Sequence, residues 1–215
     1  IIFLSISIII GISTLFYTIP SESVGVVMRF GQYSSTTDPG LHLKLPFFID
    51  QVEKVPVRRQ LKQEFGFGTS GATYIYQYSN VNTQQAEKSM VTGDSNVALV
   101  EWVVQFKVKD PKDYLFKVRW PDKTLRDASE SIMREVVGDR TVDEVITFGR
   151  QEIEIEAKTK LQSLIDKYEM GIAIDLIQLK GVNAPREVQA SFNEVESAKQ
   201  ELEQSKNKAT GQKLS

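Results

Sequence analysis

The patterning of apolar and polar positions changes character several times along the chain. Residues 1–19, IIFLSISIIIGISTLFYTI, are apolar without a period and carry no charged side chain. As one helix this run would span roughly 28 Å, close to the ~30 Å hydrocarbon core of a bilayer. The run therefore predicts a transmembrane helix over 1–19. Its expected anchor residues are Ile1, Phe3, Leu4, Ile8, Ile9, Ile10, Ile12, Leu15, Phe16, Tyr17 and Ile19, and Pro20 is its stop. The apolar part of a cleaved signal peptide, typically about 7–15 residues, is shorter than this. The chain opens on Ile1 and closes in a polar helical run, so both ends read as cuts through a longer protein.

Alternation then takes over in a strand-rich stretch, 20–110. Val24, Val26, Met28 and Phe30 share one face of a half-buried strand, and Leu41, Leu43 and Leu45 alternate with His42 and Lys44 up to Pro46. Val52, Val55 and Val57 continue in extended style, with Pro56 marking an edge. Residues 65–90, rich in Gly, Ser, Thr, Asn, Gln and Tyr, read as a long loop with room for a short hairpin. Ala98, Val100, Trp102, Val104, Phe106 and Val108 form an unbroken period-2 face, the expected centre of a sheet.

Residues 111–183 change to helical spacing. Asp110-Pro111 opens a helix, and Leu125, Ala128, Ile132, Met133 and Val136 mark a second that stops at Gly138. Thr141 and Glu144 form a capping box. Ile153, Ala157, Leu161 and Ile165 mark a further helix, with Gly171 expected in its left-handed C′ position. A last strand runs from Ile172 to Leu179. Over 184–215 the chain becomes helical and charged, with Val188, Phe192, Val195, Ala198 and Leu202 at heptad-like spacing. These five are the expected seam of a coiled coil that begins here; a solitary surface helix is the alternative for so few heptads. Strands first and helices after predict an α+β fold.

Composition narrows the chemistry. The charges nearly balance, 26 Lys+Arg against 28 Asp+Glu, which argues against a nucleic-acid partner. There is no cysteine and a single histidine, His42, so thiolate or multi-histidine metal sites are excluded. Gly66-Phe67-Gly68-Thr69-Ser70-Gly71 matches G-x-G-x-x-G, but a charged stretch precedes it and no helix pattern follows, so no dinucleotide cofactor is expected. Ser205 and Lys208 match S-x-x-K in a polar run with no apolar pocket to depress the lysine. No cofactor, metal or catalytic residue is therefore expected, and His42 and Trp102 read as structural. Residues 20–50 carry two cations (Arg29, Lys44) and three anions (Glu22, Asp38, Asp50), which favours an outer-side location for the domain.

The order of anchor, short strands, dominant strand, helices and charged coiled coil resembles the SPFH (band 7, stomatin/prohibitin/flotillin) superfamily over essentially the whole chain. The resemblance rests on FYTIPSESVGVVMRFGQY (16–33), PGLHLKLPFFIDQVEKV (39–55), VALVEWVVQFKVKDPKDYLFKV (97–118), the run from Asp122 to Glu144, and YEMGIAIDLIQLKGVNAPREVQASF (168–192). It is strongest for the bacterial branch that pairs with HflC-like subunits. HflC-like chains tend to carry an insertion before the last strand, which is missing between Tyr168 and Gly171. The resemblance implies a single-pass inner-membrane protein with a periplasmic SPFH domain. It also implies hetero-oligomeric assembly with an HflC-like SPFH subunit into a cage that regulates an FtsH-like AAA+ protease in the lipid bilayer, without catalysis of its own. A stomatin/prohibitin-like organiser of lipid microdomains, with no dedicated protease partner, is the alternative. The segment Phe65–Met90 departs from the family by its length and its tyrosines.

Overall fold

The computed structural model describes residues 15–69 and 81–185, with 194, 197, 198, 200–202 and 204–208 of the C-terminal stretch. Six strands come first: β1 (Phe16–Ile19), β2 (Ser23–Arg29), β3 (Gln32–Thr37), β4 (Gly40–Leu43), β5 (Asp50–Pro56) and β6 (Leu61–Phe65). Helix α1 (Val81–Lys88), β7 (Ser89–Val91) and the long β8 (Val97–Val108) follow. Then come α2 (Pro111–Phe116), α3 (Pro121–Gly138), a π-helical turn (Glu144–Phe148), α4 (Arg150–Lys167) and β9 (Ile172–Asn183). Every pairing among these strands is antiparallel, and the fold is α+β as expected.

The alternating face of β8 organises the larger core. Trp102, Val104 and Phe106 are fully buried against Leu125, Met133 and Val136 of α3 and Ile153, Leu161 and Ile165 of α4. Each such side chain contributes about 1.5–3 kcal/mol of transfer free energy. Strand β9 flanks β8 along its whole length, from Val108↔Ile172 to Leu99↔Asn183, while β6 and β7 pair with its other edge. Lys160 ties the two helices by bridging Glu135 and Glu156, and these hydrogen bonds push its ammonium pKa up to about 12. A second sheet, β3-β2-β5, and the ladder β1-β4 form the strand-rich first part. Strand β5 is an edge, as Pro56 predicted.

Both polar caps read from the sequence are formed. Asp110 accepts from the backbone N–H groups of Lys112 and Asp113, at 2.9 and 3.1 Å. Glu144 Oε2 accepts from Thr141 N at 2.8 Å, but the segment it opens is a π turn rather than an α-helix.

Three expectations are corrected. The helix expected over 1–19 does not hold at Phe16–Ile19: Phe16, Tyr17 and Ile19 belong to β1, which pairs in register with β4, Phe16↔Leu43 to Ile19↔Gly40. Ile19 is buried in the domain, and the other anchor residues from Ile1 to Ile12 lie outside the described residues. No helix among the described residues is long and apolar enough to cross a membrane. The span 65–90 is not one loop, because Val81–Lys88 is helical and Ser89–Val91 is a strand on β8. Gly171 is not the C′ residue of α4. Glu169 takes that place at φ 53°, completing a Schellman pair with Glu169 N to Asp166 O (3.0 Å) and Met170 N to Ile165 O (3.2 Å).

A buried polar cluster lies under β6. The Phe65 and Trp102 rings stack at 4.5 Å between centroids and 8° between planes, and the indole N–H donates to Ser129 Oγ at 3.1 Å. Arg126 also lies over the Phe65 ring, its Cζ 4.4 Å from the centroid. Its Nη2 donates to Glu87 Oε1 (2.6 Å) and to the Glu64 carbonyl (2.9 Å), and Glu87 Oε2 accepts from Gly66 N at 2.7 Å. Burial pushes the Glu87 carboxyl above its usual range despite these partners.

Candidate functional site

The feature with most chemical consequence is one end of the strand-rich part, reached by the chain as it arrives from residues 1–14. A sequence of hydrogen bonds draws four segments together there. Lys44 N donates to Leu15 O (2.8 Å), extending the β1–β4 ladder beyond Phe16↔Leu43. Leu45 N donates to Asp50 Oδ2 (3.0 Å), and Asp50 pairs with Arg29 at the end of β2. Phe30 N then donates to Ile49 O at 3.0 Å. The starts of β1 and β5 and the ends of β2 and β4 therefore meet at this rim.

The side chains displayed there are apolar. Phe16, Leu43, Leu45 and Phe47 are exposed, as are Phe30 at 79 % and Phe48 at 90 %. Leu41 continues the exposed face along β4. The strand read from leucine alternation thus exists, and its leucines face outward. Phe30, Phe47 and Phe48 adopt positive φ (50°, 61° and 63°), a conformation that costs roughly 1–2 kcal/mol per L-residue. Behind Phe47 and Phe48, Leu45, Pro46 and Val52 line a pocket of about 290 Å³, edged by Lys44 and Asp50. Strained backbone that carries exposed aromatic rings marks a functional surface rather than a packing solution.

Sequence reading missed this surface as a site. The available signal was Pro46-Phe47-Phe48: two adjacent aromatic residues break a period of two, so a single buried face cannot take both.

The remaining candidates are scattered. Ala198 and Leu202 of the expected seam are helical and exposed, Leu202 at 58 %; Val188, Phe192 and Val195 lie outside the described residues. Ser205 and Lys208 are helical and exposed. His42 is half-buried, its Nε2 2.7 Å from the Asp38 carbonyl oxygen. Among the described residues, no group of three or more His, Asp or Glu side chains could hold a metal ion.

Residues 17–213 match the model of the SPFH domain / Band 7 family. The chain is similar to Protein HflK of Treponema pallidum (strain Nichols), 37 % identical over 197 residues, covering 91 % of this chain and 59 % of that protein. It is 35 % identical over 194 residues to Protein HflK of Borreliella burgdorferi, covering 90 % of this chain and 60 % of that protein. Modulator of FtsH protease HflK of Escherichia coli (strain K12) is 34 % identical over 197 residues, 92 % of this chain and 42 % of that protein. The chain spans about three fifths or less of the length of these curated relatives. With the family model covering nearly all of it, the chain belongs to the SPFH domain / Band 7 family.

Proposed function

We propose that this protein is a non-catalytic, membrane-anchored scaffold subunit that assembles with an HflC-like SPFH partner and regulates an FtsH-like AAA+ protease. The observation that carries the reading is the apolar rim, where Phe16, Phe30, Leu43, Phe47 and Phe48 crowd the end at which the chain arrives from residues 1–14. Apolar side chains so exposed on strained turns need an apolar neighbour, and a bilayer entered by Ile1–Ile12 supplies one at the right end. The anchor in this reading is residues 1–14, followed at once by the domain, which faces the periplasm. One of the relatives is named as a modulator of FtsH protease, which supports the protease as the regulated partner. Confinement of anchored copies to one membrane raises their effective concentration, so modest lateral contacts and a seam along Val188–Leu202 suffice for a large assembly.

Gentle solubilisation of native membranes and affinity purification of the intact protein should recover an HflC-like subunit and an FtsH-like protease. A large assembly containing neither would overturn this reading and favour the lipid-microdomain organiser, which shares the same rim.

A further inference from the structure

The apolar rim is continued by a patch of different chemistry. Tyr33 follows the Phe30–Gly31 turn by two residues, roughly 7 Å in extended chain, and its ring meets Phe116 of α2 edge-on (6.1 Å, 80°). Lys112 Nζ lies 5.0 Å from the centroid of the same Tyr33 ring. One turn beyond Phe116, Arg119 Cζ lies 4.7 Å from the centroid of Trp120, which is 55 % exposed. Neither Lys112 nor Arg119 makes an ion pair among the described residues, whereas their neighbour Lys117 is engaged by Glu169. The helix's own carboxylate, Asp113, acts on Lys117, whose ammonium pKa it helps Glu169 to raise.

We propose that α2 and the turn after it, Pro111–Trp120, bind the headgroups of anionic phospholipid, with Lys112 and Arg119 on the phosphates and Tyr33, Phe116 and Trp120 at the interface. The inference rests on the reading that the rim faces a bilayer. The headgroup layer adds roughly 5–8 Å outside the hydrocarbon on each side. With Phe30 at the acyl boundary, Tyr33 and its partners fall at headgroup depth. Aromatic rings with one polar edge and long cations are the side chains that this layer favours. A cation already poised over a ring keeps its N–H groups free for phosphate oxygen, and each cation near an anionic surface strengthens binding about fivefold. The patch would also give the helical part of the domain its own hold on the membrane, fixing its tilt.

Tryptophan fluorescence can test this in the full chain reconstituted into vesicles. The chain has two tryptophans, and Trp102 is fully buried, so lipid-accessible emission comes from Trp120. In phosphatidylglycerol-containing vesicles, a spin label at the headgroup or shallow acyl position should quench Trp120. Lys112→Gln with Arg119→Gln should remove most of that quenching. Phe48→Trp in a Trp120→Phe background reads the rim independently and should be quenched in both lipids and in both charge states. If that reporter is quenched and Trp120 is not, the headgroup site is wrong and the rim reading survives. If neither is quenched, the rim reading fails and takes this inference with it. Equal quenching of Trp120 in pure phosphatidylcholine, unaffected by the double substitution, would overturn recognition of anionic headgroups. Circular dichroism must match wild type for each variant.

Discussion

Arg29 and Asp50 face each other in register across β2 and β5, with Nε to Oδ1 at 2.9 Å and Nη2 to Oδ2 at 3.2 Å. Asp50 is only 4 % exposed and also accepts from Leu45 N, so one carboxylate joins the ends of β2, β4 and β5 beneath the rim. The Arg29 hydrogen bonds, then that from Leu45, hold its carboxyl below the usual range. For a depressed acid, the stabilisation is present above the unfolded value, about 3.9, and is lost as pH falls through the folded one. Asp50→Asn should therefore lower Tm at neutral pH more than Glu53→Gln does, and the gap should close below about pH 4. A gap that persists unchanged at low pH would show that the charge is not what matters.

Phe48 should behave as a residue kept at the expense of stability. It is 90 % exposed and holds φ at 63°, so Phe48→Gly removes little packing and relieves backbone strain. The variant is expected to be more stable by about 1 kcal/mol in detergent and to engage lipid less, as judged by denaturation and by accessibility of the rim to membrane-embedded quenchers. Loss of stability would mean that the ring packs within the domain.

Beneath β6, the coupling of Arg126 to Glu87 makes the two unequal to mutate. Arg126→Met leaves the Glu87 carboxylate buried and should cost about 3 kcal/mol in urea unfolding. Burial already raises the Glu87 carboxyl, so the group can take up a proton and limit the penalty at lower pH. Glu87→Gln has one acceptor oxygen for two donors, Gly66 N and Arg126 Nη2, and leaves buried a guanidinium that cannot shed its proton, so it should cost distinctly more. Equal losses from both would refute the proposed asymmetry.

Much of the fold was legible because burial and period coincide. The six alternating apolar residues of β8 and the Leu125–Val136 stripe of α3 could satisfy only one geometry each, and both are buried as that geometry requires. Helix α1, VNTQQAEK, was read as loop because it has no apolar stripe. Tertiary bonds hold it instead: Glu87 reaches Arg126, and Arg134 donates to the Ala86 and Ser89 carbonyls at its end. The expected helix over 1–19 overran β1 because FYTI suits either a lipid-facing helix or a strand, and hydropathy alone cannot register Phe16 against Leu43. The rim was hidden for a related reason: alternation shows that Leu41, Leu43 and Leu45 share a face, but not that the face is exposed.

The turn from α4 into β9 gives Glu169 the C′ position expected of Gly171 and leaves Gly171 a different role. At Gly171, φ is 63° and an added Cβ would lie 2.3 Å from the Asp110 carbonyl oxygen, against rigid backbone. Gly171 O also accepts from Lys109 N and Asp110 N, so the turn cannot move away without breaking both bonds. Gly171→Ala should cost more than about 2 kcal/mol. Glu169, at φ 53° and paired on the surface with Lys117, should tolerate Gly with little change in Tm. The reverse order would restore Gly171 to the capping role.

The seam is the last element to test, and its logic is unmet burial. Leu202 is helical and 58 % exposed, one heptad after Val195 and two after Val188. Within one chain nothing among the described residues covers it, whereas a neighbouring helix in register would bury Val188, Phe192, Val195, Ala198 and Leu202 together. Placing charge at two of these positions, Val195→Asp with Leu202→Asp, forces a carboxylate into that seam while leaving the SPFH core untouched. Large particles should collapse to smaller species on sizing in mild detergent, with an unchanged thermal transition for the domain. Large particles that survive the double substitution would assign assembly to the SPFH domains and the shared membrane, with no part played by the helix.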